Sequence, residues 1–168
     1  MAKKMNIDVE SLKDINKFVK TYAREYCNLA ADMITDAAKV AIEQFYKSYK
    51  PIPLSEGGYD RTWDLRRNSA QRYFHDNGRA FIGGVRICTD KMSPYKGKNV
   101  WSPETVVEAT WTKGYHGRFG NDSNRGIYTF PPLSSLQQFV GNKKNFEKIN
   151  EQALTFAKKQ RYKVQKFI

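Results

Sequence analysis

The stretch from Val9 to Tyr49 constrains this chain more than any other, because apolar side chains recur there at helical spacing with no Pro or Gly to interrupt them. Leu12, Ile15, Val19, Tyr22, Tyr26, Ala30, Met33, Ala37, Ala41, Phe45 and Tyr49 step by three or four, and Phe18, Ile34 and Ile42 widen the stripe. At 1.5 Å per residue such a helix is about 60 Å long, more than a small domain is wide. It must bend around its own core, break once, or project onto a neighbour. Ala30, Ala31, Ala37, Ala38 and Ala41 allow a second element to approach closely. Core packing and subunit contact are both uses for such a stripe. Pro51 and Pro53 end it, since Pro removes a donor and pushes the preceding residue out of helical geometry. Gly57-Gly58 extends the break.

Periodicity then changes. In Thr105-Val-Val-Glu-Ala-Thr-Trp-Thr112, Val107, Ala109 and Trp111 alternate with Val106, Glu108, Thr110 and Thr112, the period of a half-buried strand. Arg79–Ile87 also reads as strand, with Gly83-Gly84 marking a bulge or tight turn. Leu65–Phe74 suits a third strand or a short helix, and Ile127–Phe130 a short edge strand stopped by Pro131-Pro132. Ser93–Asn99 is a turn-rich link between strands, consistent with a hairpin arm. The Gly- and Asn-rich segment Gly114–Gly126 is longer than most connections, a length usual in functional or mobile loops. Phe146, Ile149, Ala153, Phe156 and Ala157 then share one face of a closing helix. This order predicts an α+β fold: a long N-terminal helix, an antiparallel β-sheet with a projecting loop, and a C-terminal helix. At 168 residues the chain suits a single domain over 1–168. Its parts are the helix over 8–50, a β-rich core over 60–130, and the C-terminal helix with its basic tail over 143–163.

Net charge is +12, which calls for an acidic partner such as nucleic acid, an anionic membrane or an acidic protein surface. From Gly141 to Ile168, eight basic residues face only Glu147 and Glu151, so half of that charge sits in a sixth of the chain. Lys158, Lys159, Arg161, Lys163 and Lys166 are its candidate contacts for nucleic acid or an acidic partner; the alternative is a solvated helix face. No apolar run reaches the roughly 20 residues a membrane span needs, and the basic N-terminus leads into Asp8-Val-Glu10 without an apolar segment. The chain reads as a soluble protein made in the cytoplasm. Cys27 and Cys88 form neither a disulfide framework nor a zinc site and read as free buried thiols.

Chemistry is thinly represented. His75-Asp76, and His116 close to Asp122, are the only hints of acid–base or metal work, and no HxH, HExxH or CxxC spacing supports them. No catalytic residue, metal or cofactor is assigned. Gly114-Tyr-His-Gly-Arg-Phe-Gly120 lacks the Gly-Lys-Ser/Thr ending of a phosphate loop. Its Arg118, Tyr115 and Phe119 suit single-stranded nucleic acid or a protein partner, or fold back on the sheet. In the cluster Arg61, Asp64, Arg66, Arg67, one carboxylate can fix the turn by pairing with Arg61 or Arg67, leaving guanidiniums for a carboxylate within the chain or on a neighbour, or for phosphate.

Two segments carry a family resemblance. Tyr46-Lys-Ser-Tyr-Lys-Pro51, followed by Tyr59-Asp-Arg-Thr62, Leu65 and Asn68-Ser69, resembles the block after the first helix of phage head-tail joining proteins of Gram-positive hosts, also described as tail-completion, neck or minor capsid proteins. Trp111-Thr-Lys-Gly-Tyr-His-Gly117 is similar to the aromatic-Gly segment ending that family's later strand. The family's Ala-rich helix, Pro break, Thr/Leu/Arg/Ser block, sheet with loop, and last helix match Ala30–Tyr49, Pro51–Pro53, Tyr59–Ser69, Phe81–Trp111 and Asn145–Gln160. The insertion Leu54–Gly58 and the unusually basic C-terminus depart from the pattern. The resemblance implies a non-enzymatic virion protein without cofactor, forming a homo-oligomeric ring at the head-tail junction. Its implied partners are other copies, other neck, portal or tail proteins, and DNA in the lumen, with no membrane. Candidate subunit or partner contacts are Arg61, Trp63, Asp64, Arg66 and Arg67, with Tyr115, His116, Arg118 and Phe119 in the loop. The alternative reading is a basic nucleic-acid-binding module, a regulator or small nuclease, resting on the charge and the aromatics among the last basic residues.

Overall fold

The computed structural model describes residues 9–47, 64–93, 102–112 and 131–160. The fold is α+β, with a long N-terminal helix, an antiparallel pair of strands and C-terminal helices. Helix α1 spans Val9–Lys47 without a break. Its buried residues begin only at Ala30 and continue through Ala31, Thr35, Ala38, Ala41, Ile42, Phe45 and Tyr46. From Leu12 to Leu29 no side chain is fully buried. One helix thus has two regimes, a C-terminal half built into the core and an N-terminal half at the surface.

A π-helical turn, Leu65–Ser69, leads directly into strand β1, Ala70–Asp76, so both readings of Leu65–Phe74 hold in part. Strand β2, Phe81–Ile87, pairs antiparallel with β1 from Ala70↔Ile87 to Asp76↔Phe81. The turn between them is made by Asp76-Asn77-Gly78. Asp76 Oδ1 accepts from Gly78 N (2.8 Å), and Asn77 Oδ1 accepts from Arg79 N (3.0 Å) and Ala80 N (2.8 Å). Gly78 takes φ +77°, a conformation glycine adopts without steric cost.

The register runs through Gly83-Gly84 without the bulge or turn expected there. Gly83 has another function. A Cβ built on it would lie 1.8 Å from the carbonyl oxygen of Cys27, so its missing side chain is what lets β2 lie against the α1 backbone. Cys27 Sγ donates to Phe81 O (3.4 Å) beside it. Polar contacts pin the same sheet face to α1. Arg72 Nε donates to Asp32 Oδ1 (2.5 Å), its Nη2 to the Asn28 side chain, and Arg24 pairs with Asp76 at 3.2 Å.

The strand expected over Thr105–Thr112 is helical. Helix α2, Pro103–Val107, continues into a π-helical turn, Glu108–Thr112. Ser102 caps it by accepting from Thr105 N (3.3 Å), Pro103 stands where its missing N–H costs nothing, and Glu104 lies in the first turn. That start overrides the strand preference of the β-branched residues after it. Ala109, Thr110 and Trp111 are buried consecutively, which no alternating strand could do. Among the described residues the β-rich core expected over 60–130 therefore reduces to the β1–β2 hairpin; residues 94–99 of the expected hairpin arm lie outside the described residues.

Pro132 opens a helix, α3 (Pro132–Gly141), that the sequence reading missed; Pro131-Pro132 had been expected only to stop a strand. Ile127–Phe130 lies outside the described residues, as does the projecting loop. Helix α4 spans Lys144–Lys159 and buries Ile149, Ala153 and Ala157, whereas Phe156 is exposed. Leu133 and Leu136 of α3 pack near Ala38, Ile42, Phe45 and Tyr46, and Tyr22 donates to Asn150 Oδ1. The α3–α4 pair therefore runs back along α1 toward its N-terminal end.

The two glycines of β2 provide a paired test. Gly83→Ala must force β2 away from α1 and should cost about 2–3 kcal/mol, read by urea unfolding. Gly84→Ala meets nothing within 4 Å and should leave stability unchanged or raise it by about 0.5 kcal/mol.

Candidate interaction surfaces

Asp64, Arg66 and Arg67 sit on and just before the π-helical turn, beside the end of α1. Asp64 bonds both within that turn and to the segment that follows β2. Its Oδ1 accepts from the Asn68 side chain and its Oδ2 from Ser93 N (2.8 Å). Arg66 reaches back to α1, where Nη2 lies 3.4 Å from Glu43; Lys47 lies 3.2 Å from the same carboxylate. The Lys47 ammonium first, then the Arg66 guanidinium, hold the Glu43 carboxyl below the ordinary carboxylate range. Arg66 is thus engaged within the chain, its Nε buried without a partner, and Arg67 is the exposed guanidinium of the pair. Arg61 and Trp63 lie outside the described residues.

Beneath this turn lies the core. Trp111, 1% exposed, donates from Nε1 to Ser69 Oγ at 3.1 Å. Ser69 Oγ in turn donates to Leu65 O, and Ser69 O accepts from Cys88 N at 2.8 Å. Leu65, Ala70, Phe45, Tyr46, Ile42 and Leu136 enclose the indole. Ser69, which ends one family-like block, and Trp111, which opens the other, therefore form one buried unit in the core. Tyr115, His116, Arg118 and Phe119 follow this unit in the chain and lie outside the described residues.

At the other end, Lys158 and Lys159 are exposed in the last turn of α4, where cations complement the helix C-terminus. Arg161, Lys163 and Lys166 lie outside the described residues. Strand alternation puts His75 on the sheet face away from α1, while Asp76 turns toward Arg24, so the two do not form an acid–base pair. His116 and Asp122 lie outside the described residues. Among the described residues no group of three or more His, Cys, Asp or Glu could hold a metal ion, and no helix is long and apolar enough to cross a membrane. Cys27 and Cys88 are free and half-buried, and burial is the main cause raising both thiol pKa values.

Comparison with protein-family models, curated proteins and solved structures gives no match.

Two signals passed over in the sequence were available. Asp76-Asn77-Gly78 is a strong hairpin signature, and Ser102-Pro103-Glu104 is a helix start. A third is the row Lys13, Lys17, Lys20, Arg24 at helical spacing, which a sum of charge dominated by the C-terminus does not show.

The core unit can be tested by a double-mutant cycle. Ser69→Ala leaves a buried indole N–H unpaired and should cost about 1–3 kcal/mol. In a Trp111→Phe background the same change should cost at least about 1 kcal/mol less, as read by denaturant unfolding. The Glu43 group makes a second prediction. Its lowered pKa contributes stability present above the unfolded Glu value of about 4.3 and lost as pH falls through the folded one. Thermal melts taken from about pH 5 to about pH 3 should therefore decline less steeply in Glu43→Gln than in the wild type.

Proposed function

We propose that this chain is a non-enzymatic structural protein of the phage head-tail joining type, a ring component at the neck or tail-completion position. The observation that supports this reading most is the Trp111–Ser69 hydrogen bond. It joins Ser69, the last residue of one segment that resembles the family, to Trp111, the first residue of the other, 42 residues apart in sequence.

A ring reuses one heterologous interface many times, and α1 offers a suitable element. Beyond the point where Arg24 meets Asp76, α1 continues back to Leu12 for about 18 Å. Tyr22 and Asn150 join it there to α4. Leu12 (47% exposed) and Val19 (52% exposed) lie on one face of that extension. In the ring this face packs against the neighbouring copy. Arg67, exposed on the π-helical turn, takes the contact role that Arg66 gives up to Glu43. Other neck, portal or tail proteins are the further partners of this reading.

Mass spectrometry of density-purified, nuclease-treated particles from the source culture tests the assignment. The chain should travel with particles at a few copies each, and its presence only in the soluble fraction would sink the reading. Leu12→Glu with Val19→Glu should leave the purified monomer folded by circular dichroism, since neither side chain is buried. The same pair should deplete the chain from particles and lower infectivity by at least about tenfold, as expected if each interface loses about a factor of ten in association.

A further inference from the structure

The projecting part of α1 carries a second face. Lys13, Lys17, Lys20 and Arg24 follow at steps of four, three and four residues, which places them in one row along the helix about 16 Å long. This row lies about a third of a turn from Leu12 and Val19, so the two surfaces do not overlap. All four side chains are exposed. Arg24 is tied to Asp76, and that contact sets the hairpin turn, with exposed Arg79, at the inner end of the row. Two separate elements thus bring cations to one surface. Among the described residues Lys13, Lys17, Lys20 and Arg79 have no carboxylate within ion-pair distance. Asp14 stands about a quarter turn away on the helix.

We infer that this row and the hairpin tip form a binding surface for the phosphate backbone of duplex DNA. The cations are spaced about 4.5–6 Å along the axis, a regular series of charges with no aromatic or apolar side chain among them. A protein partner needs buried anchors at the centre of its contact, and this row offers none. A uniform polyanion needs only spaced cations, and about 16 Å along a duplex axis carries about five phosphates per strand at about 3.4 Å of axial rise each. Binding of this kind reads no base sequence. It does not depend on the assembly role proposed above, because the surface belongs to the monomer and DNA binding is measured without particles.

Fluorescence anisotropy of the full chain with a labelled mixed-sequence duplex of about 30 base pairs, titrated across salt concentrations, tests it. Each cation engaged with a phosphate contributes about 0.9 to the slope of log affinity against log salt. The combined substitution Lys13→Gln, Lys17→Gln, Lys20→Gln should reduce that slope by about 2.7 and weaken binding at least about tenfold at about 50 mM salt. Helix content should hold, since Gln and Lys have similar helix propensity. Arg79→Gln, in the turn and outside any helix, provides an independent reading and should remove about 0.9. The inference is overturned by absence of binding to the duplex, or by an unchanged slope in the triple variant. It is overturned equally if Lys158→Gln with Lys159→Gln takes the slope instead, or if poly-glutamate competes as well as DNA at equal charge.

Discussion

The hydrogen bond from Trp111 to Ser69 is the interaction on which the rest of the structure depends. An indole this deeply buried must find an acceptor for its N–H, and few groups in an aliphatic core can supply one. Ser69 does so because a π-helical turn, wider than an α-turn, carries its hydroxyl inward while its carbonyl takes Cys88 N. The second π-helical turn, Glu108–Thr112, delivers the indole from the opposite side. Three segments distant in sequence, the lead-in to β1, the exit from β2 and the end of α2, are thereby fixed at one residue. The C-terminal half of α1 closes over them with Ile42, Phe45 and Tyr46.

How far the sequence could be read follows from which signals are local. Helix α1 was legible because a period sustained over many turns, with no Pro or Gly, leaves no competing structure. The strand assigned to Thr105–Thr112 failed because β-branched residues and an accidental alternation favour extended backbone, while the decision was made at Ser102 and Pro103. Gly83 misled in another way. A glycine inside a strand signals either a bulge or a close approach, and only the position of Cys27 on another element decides between them. Helix α3 was hidden because Pro131-Pro132 serves equally to stop a strand or to start a helix.

The site residues divide along the same line. Asp64 fixes its turn through Asn68 and Ser93, contacts that charge pairing with the neighbouring arginines does not suggest. Arg66, one of the candidate contact residues, pairs with Glu43 while its side chain stays 41% exposed. Which of two adjacent arginines faces inward depends on the π-helical turn, whose presence the sequence did not reveal. Net charge is a poor guide for a similar reason. It is a sum over the chain, and the C-terminal concentration masked a row on α1 that becomes visible only once the hairpin is known to end at Arg24.

A helix of ordinary composition rarely extends far beyond its core, because an isolated segment must bear the nucleation penalty alone. Here that penalty is carried by the C-terminal half of α1, held by the Trp111 core, the hairpin and α3. Each residue added toward the N-terminus then needs only to propagate a helix already formed, with α4 supporting one side through Tyr22 and Asn150. Leu12, Lys13, Lys17, Val19 and Lys20 consequently stand exposed, and their chemistry is not explained by packing. An apolar pair on one face and a row of cations on another are costly to leave exposed without use, one in solubility and the other in self-repulsion. The two faces sit on a single rigid rod, so a neighbour bound on the first leaves the second open along its length.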